Sequence, residues 1–64
     1  WITTKVKSKL FASDEFDATN IKVVTENAEV FLMGIVPKKE ADAAVEITRH
    51  VKGVSRVYKM FEYL

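Results

Sequence analysis

An α+β fold of order α-β-β-α-β, with a three-stranded mixed sheet and two helices packed on one face, is predicted by three features of this chain. Ile2, Val6 and Leu10 recur at the spacing of one helix face. Two runs rich in β-branched and aromatic residues follow, separated by a short polar turn. A second amphipathic stretch then ends at the seam Val51-Lys52-Gly53-Val54-Ser55-Arg56-Val57, where a glycine suits the left-handed conformation past a helix end and apolar residues resume.

The first helix places Ile2, Val6 and Leu10 within an arc of about 80° at 100° per residue. Ser13-Asp14-Glu15 and the polar stretch through Asn20 close it. Ile21 to Thr25 and Val30 to Val36 suit strands, and Glu26-Asn27-Ala28-Glu29 between them reads as a hairpin turn. The second strand is apolar on both faces, with Val30, Leu32 and Val36 on one and Phe31, Met33 and Ile35 on the other. A strand of that kind belongs at the centre of its sheet or beneath a covering partner. Pro37 suits the first turn of the second helix, which is expected over Lys39 to Lys52. Ala41, Ala44, Val45, Thr48 and Val51 form its packed side, opposite Asp42, Glu46 and Arg49. The last strand is expected to start at Val54 and to run through Val57, Tyr58, Met60, Phe61 and Tyr63.

Composition narrows the possible functions. Sixty-four residues, 48% of them apolar, make one domain (1–64) near the lower limit for a self-supporting core. Cysteine is absent, which removes disulfides, thiolate metal sites and cysteine nucleophiles. A net charge of +1 with interspersed signs lacks the basic stripe of a nucleic-acid binder. No apolar run reaches the ~20 residues that cross a bilayer. The abrupt start at Trp1 suggests a segment of a longer protein, with any targeting segment outside it.

Catalytic chemistry finds no foothold. His50 is the only histidine, and neither a second histidine nor a cysteine can complete a ligand set; an exposed helix position is expected for it. Asp14, Glu15 and Asp17 cluster in a loop, but Phe16 interrupts them and the central glycine of a calcium loop is missing, so a solvated acidic turn is expected. No glycine-rich phosphate loop occurs. The expectation is a protein that is not an enzyme and has no metal, cofactor or small-molecule substrate.

The first helix carries the surface that stands out. With Ile2, Val6 and Leu10 inward, Trp1, Thr4, Ser8 and Phe11 face outward, flanked by Lys5, Lys7 and Lys9. Tryptophan at an apolar–polar boundary beside lysines suits a lipid headgroup interface, and each lysine adds about 1 kcal/mol of attraction to an anionic surface. The competing arrangement packs Trp1 against the third strand and folds Phe11 over the core edge beside Phe16.

Ile2-x3-Val6-x3-Leu10, Asn20-Ile21-x-Val23, Val30-x-Leu32-x-Gly34-x-Val36, Glu40, Ala44 and Val51-x-Gly53-Val54-x2-Val57 together resemble the BON domain (bacterial OsmY and nodulation) over nearly the whole chain. The runs Val24-Thr25-Glu26-Asn27 and Glu29-Val30-Phe31-Leu32-Met33-Gly34 are most similar to the second domain of dual-BON outer-membrane lipoproteins. The resemblance implies the same α-β-β-α-β fold and a periplasmic, outer-membrane-associated location in a Gram-negative envelope, with a link to osmotic stress. It also implies non-catalytic binding to phospholipid membranes. Trp1, Thr4, Lys5, Lys7, Ser8, Lys9 and Phe11 are then the expected contacts with an anionic phospholipid surface. The alternative is a protein-interaction domain that pairs with another BON domain or an envelope partner through Phe31, Met33 and Ile35. Two positions depart from the family. Ala28 stands where relatives commonly have glycine, which implies strain or a different turn. Pro37 stands where they often place a serine or threonine cap, which implies a helix without a side-chain cap.

Overall fold

The computed structural model describes all of residues 1–64 and has the expected order of elements. Helix α1 (Ile2–Ala12) buries Val6 and Leu10 completely, with Ile2 packed at the margin of the same cluster. Trp1 precedes it without a side-chain cap, and its carbonyl accepts the Lys5 amide at 3.1 Å. The Thr3 and Thr25 hydroxyls meet at 2.6 Å and tie this helix to the first strand.

The loop after α1 is more ordered than its polar composition suggests. Ala18–Asn20 form a single 3₁₀ turn, capped by the Asp17 carboxylate, which accepts the Thr19 amide at 3.0 Å and the Thr19 hydroxyl at 2.6 Å. These bonds favour the ionised acid and lower the Asp17 pKa. A folded-state value below the unfolded one gives stability that is present above the unfolded pKa and lost as pH falls through the folded one. Asp17→Asn is therefore expected to flatten the acid side of the stability–pH profile, read as urea midpoints between neutral pH and pH values below the ordinary carboxylate range. A profile of unchanged shape would show that this carboxylate does not stabilise the turn.

Strands β1 (Lys22–Glu26) and β2 (Glu29–Val36) form an antiparallel hairpin, and β3 (Arg56–Tyr63) lies parallel to β2 on its other side. The two-sided apolarity of β2 is thus that of a central strand. At the hairpin turn Asn27 and Ala28 both have positive φ, 50° and 66°, as a type I′ turn requires. Of the two outcomes expected of Ala28, strain is the one observed; a left-handed alanine costs about 1–2 kcal/mol. Its carbonyl is anchored by the Ser55 amide at 2.8 Å and the Ser55 hydroxyl at 3.1 Å.

Helix α2 (Lys38–Arg49) starts as the resemblance implies and ends earlier than expected. Pro37 occupies the capping position, one residue before the first turn, and no side chain caps the helix. Its extended backbone aims its carbonyl at the Glu40 and Ala41 amides. At the other end the helix stops at Arg49 instead of Lys52. His50 lies at φ −95°, ψ 0°, and the chain tightens into three-residue hydrogen bonds from His50 to Ile47 and from Val51 to Thr48. This keeps Val51 in the core while the backbone turns toward the sheet. Gly53, at φ +99°, therefore sits in the connecting turn and not against the helix end. Val54 and Ser55 lead into β3 rather than opening it.

Val23, Val30, Leu32 and Val36 meet Val6, Leu10, Ala41 and Ala44 in one apolar layer. Thr48 is the one buried polar residue, and its hydroxyl donates to the Ala44 carbonyl at 2.7 Å. The opposite face of the sheet carries no helix. There Phe31 stacks on Tyr58 at 4.8 Å, and Met33 pairs with Met60 beside Val24 and the exposed Ile35.

Candidate functional site

Burial of Val6 and Leu10 fixes the rotation of α1, so residues at the complementary spacing must point away from the sheet. Trp1, Thr4, Ser8 and Phe11 form that outward row. Trp1 is 88% exposed and Phe11 58% exposed, so neither ring takes the packed alternative. Phe16, beside which Phe11 folds in that alternative, packs against the core.

The lysines differ in their surroundings. Lys5 is half-buried: its ammonium lies 4.9 Å from the Trp1 ring centre and donates to the Lys52 carbonyl at 2.8 Å. A flank lysine has thereby become a strut between α1 and the turn after α2. Lys7 and Lys9 are exposed.

Both lysines of that strut line an open groove of about 400 Å³ between the two elements. Thr4, Lys5, Ser8 and Lys9 line it from α1, and His50, Val51 and Lys52 line it from the α2–β3 turn. Lys7 and Phe11 remain outside it. Of the seven expected contact residues, four share this groove, Trp1 adjoins it through Lys5, and Lys7 and Phe11 lie elsewhere on the helix surface. Sequence reasoning overlooked His50 and Lys52 as neighbours of this surface. Lys5 and Lys52 are 47 positions apart, and no local periodicity links them.

His50 is exposed as expected, with Nδ1 2.8 Å from the Glu46 carbonyl oxygen and 3.7 Å from its carboxylate. No three histidine, aspartate or glutamate side chains gather as a metal site would require. A second groove of about 390 Å³ between α2 and β3 presents Arg49 and Arg56 beside Val45, Val54 and Val57. Both guanidinium groups are engaged: Arg49 pairs with Glu46 at 3.1 Å, and Arg56 donates to the Tyr58 hydroxyl at 3.3 Å, which raises the Arg56 pKa.

Comparison with known proteins adds to this geometry. The sequence model of the BON domain matches residues 1–64. The chain is 53% identical over all 64 residues to a protein named 21 kDa hemolysin from Actinobacillus pleuropneumoniae. It is 48% identical over the same length to one named outer membrane lipoprotein DolP from Haemophilus influenzae. In each case it spans 33% of the relative's own length.

Proposed function

This chain belongs to the BON domain family, and from that premise we propose that it is a non-catalytic module of the bacterial envelope that contacts anionic phospholipid through α1. The observation that carries this reading is the outward placement of Trp1 and Phe11 opposite the buried Val6 and Leu10. Two large rings held in water on so small a domain are costly unless they meet an apolar phase. The cation beside the indole adds attraction to anionic headgroups. The helix has about three turns, so contact is peripheral and reversible. A position at the outer membrane follows if this chain works where its relative from Haemophilus influenzae is named to work, and we place it on the periplasmic side.

Trp1 is the only tryptophan, so its fluorescence reports the contact directly. Vesicles containing phosphatidylglycerol are expected to blue-shift the emission and to sediment the protein, less so at high salt. Absence of binding, or binding unaltered in a Trp1→Glu, Phe11→Ala double variant, overturns the assignment.

A second reading draws on the helix-free sheet face. Val24, Phe31, Met33, Ile35, Tyr58 and Met60 form a continuous apolar surface there, the kind that another BON domain would cover. The two readings use opposite faces and are compatible. Ile35→Glu is expected to weaken pairing with a second domain, measured by analytical ultracentrifugation with that domain supplied in trans, and to leave vesicle binding intact. Unaltered pairing would remove the sheet face from consideration.

A further inference from the structure

The groove beside Trp1 has a chemistry more specific than that of a charged helix. Resting on the reading of α1 as the membrane-contact element, we infer that this groove seats the phosphate group of a single anionic phospholipid. Lys5, Lys9 and Lys52 are its cations, and the Thr4 and Ser8 hydroxyls are its hydrogen-bond donors; His50 lines the groove with its Nδ1 proton already given to the Glu46 carbonyl.

Three lysines and no carboxylate line the groove. The nearest acid along α2, Glu46, accepts two hydrogen bonds from Arg49, at 3.1 and 3.2 Å. The α2 C-terminus opposes an anion through roughly half a negative charge. That effect is smaller than three formal positive charges, and it is further reduced because the Ile47 and Thr48 carbonyls already accept hydrogen bonds from the His50 and Val51 amides. Lys5 is held in place before any ligand arrives: the indole stacks over its ammonium and one of its three N–H groups is taken by the Lys52 carbonyl, leaving two for phosphate oxygens. A groove of about 400 Å³ lies within the roughly 300–1,000 Å³ typical of small-ligand clefts. The other groove is a poorer seat for an anion, since the charge of Arg49 is already offset by the Glu46 carboxylate.

Position selects the source of the phosphate. Trp1 adjoins the groove through Lys5, so an indole at the headgroup level would bring the groove to the depth of the lipid phosphates. Binding to a lipid surface through α1 alone would make little use of Lys52, which lies on the turn after α2. A seated headgroup would make direct use of it.

Lys52→Gln and Lys7→Gln remove the same charge, one inside the groove and one on the α1 surface outside it. The fold should tolerate both, because each side chain is exposed and Lys52 supports Lys5 only through its main-chain carbonyl. With phosphatidylcholine vesicles containing phosphatidylglycerol, Lys52→Gln is expected to weaken binding about tenfold, the loss of a charged hydrogen bond to phosphate. Lys7→Gln should cost about fivefold or less, the loss of diffuse attraction to the surface. Titration with sn-glycerol 3-phosphate should move the amide resonances of Lys5, Ser8, Lys9, His50 and Lys52 in the wild-type domain. Equal losses in the two variants, with the wild type still binding vesicles, overturn the seat and leave the α1 reading standing. Wild type that binds no vesicles overturns that reading. If glycerol phosphate still shifts the groove resonances in that case, the site serves a free phosphate ester and the lipid assignment falls as well.

Discussion

Gly34→Ala is expected to remove the cooperative unfolding transition of this domain or to lower its midpoint by tens of degrees in a far-UV circular dichroism melt. Gly34 lies at φ +147° in the central strand, and a β-carbon there would stand 2.3 Å from the Asn20 carbonyl oxygen. That oxygen belongs to the backbone of the capped 3₁₀ turn, so no flexible side chain can swing aside. Either the turn or the strand must shift, and the strand is held by a ladder on each side. Forced overpacking costs about 1–3 kcal/mol, and an alanine in that backbone conformation adds roughly 1–3 kcal/mol. A domain of 64 residues has only roughly 3–10 kcal/mol to lose. Gly53→Ala is the matched comparison. At φ +99° it shares the backbone strain, but its β-carbon would meet Ile2 Cδ1 at an ordinary 3.5 Å, so its loss should be distinctly smaller. Equal midpoints for the two variants would show that the approach of Asn20 does not constrain the fold.

That glycine also shows which parts of the fold a sequence exposes. The run from Val30 to Val36 announces a central strand because its apolar residues fall on both faces, and the pairing partners on either side bear this out. The four-residue repeat of Ile2, Val6 and Leu10 likewise specifies which way α1 is turned. Both signals are local. The close contact of Gly34 with Asn20 is not local, and neither is the tie between Thr3 and Thr25. The end of α2 differs from its sequence pattern for a related reason. Val51 continues the helical spacing of Ala44 and Thr48, yet it reaches the core from a tightened turn, because the chain must already be heading for β3. At the candidate site, the rings of Trp1 and Phe11 were legible from their spacing. The groove was not, since one of its three lysines and its far wall come from a turn that only tertiary structure brings to α1.

Neighbouring residues on α1 should give opposite phenotypes. Leu10 is 1% exposed and Phe11 58% exposed, one position apart on the same helix. Leu10→Ala deletes core volume at about 2–5 kcal/mol. At roughly 4–8 °C per kcal/mol for a domain of this size, the melting midpoint should fall by about 10–30 °C. Phe11→Ala removes a ring that makes little of the core, so its midpoint should stay within about 0.5 kcal/mol of wild type. Vesicle binding should reverse the order. Below its own midpoint Leu10→Ala retains the outward row and should bind phosphatidylglycerol vesicles nearly as well as wild type. Phe11→Ala forfeits the transfer of an aromatic ring into the interface, about 1.5 kcal/mol at the low end, and should bind roughly tenfold more weakly. Melting curves and sedimentation isotherms for the two variants decide the matter together. If Phe11→Ala melts far below wild type, the ring belongs to the core and its exposure implies no partner. If it melts normally and binds vesicles undiminished, α1 touches the bilayer by some other face.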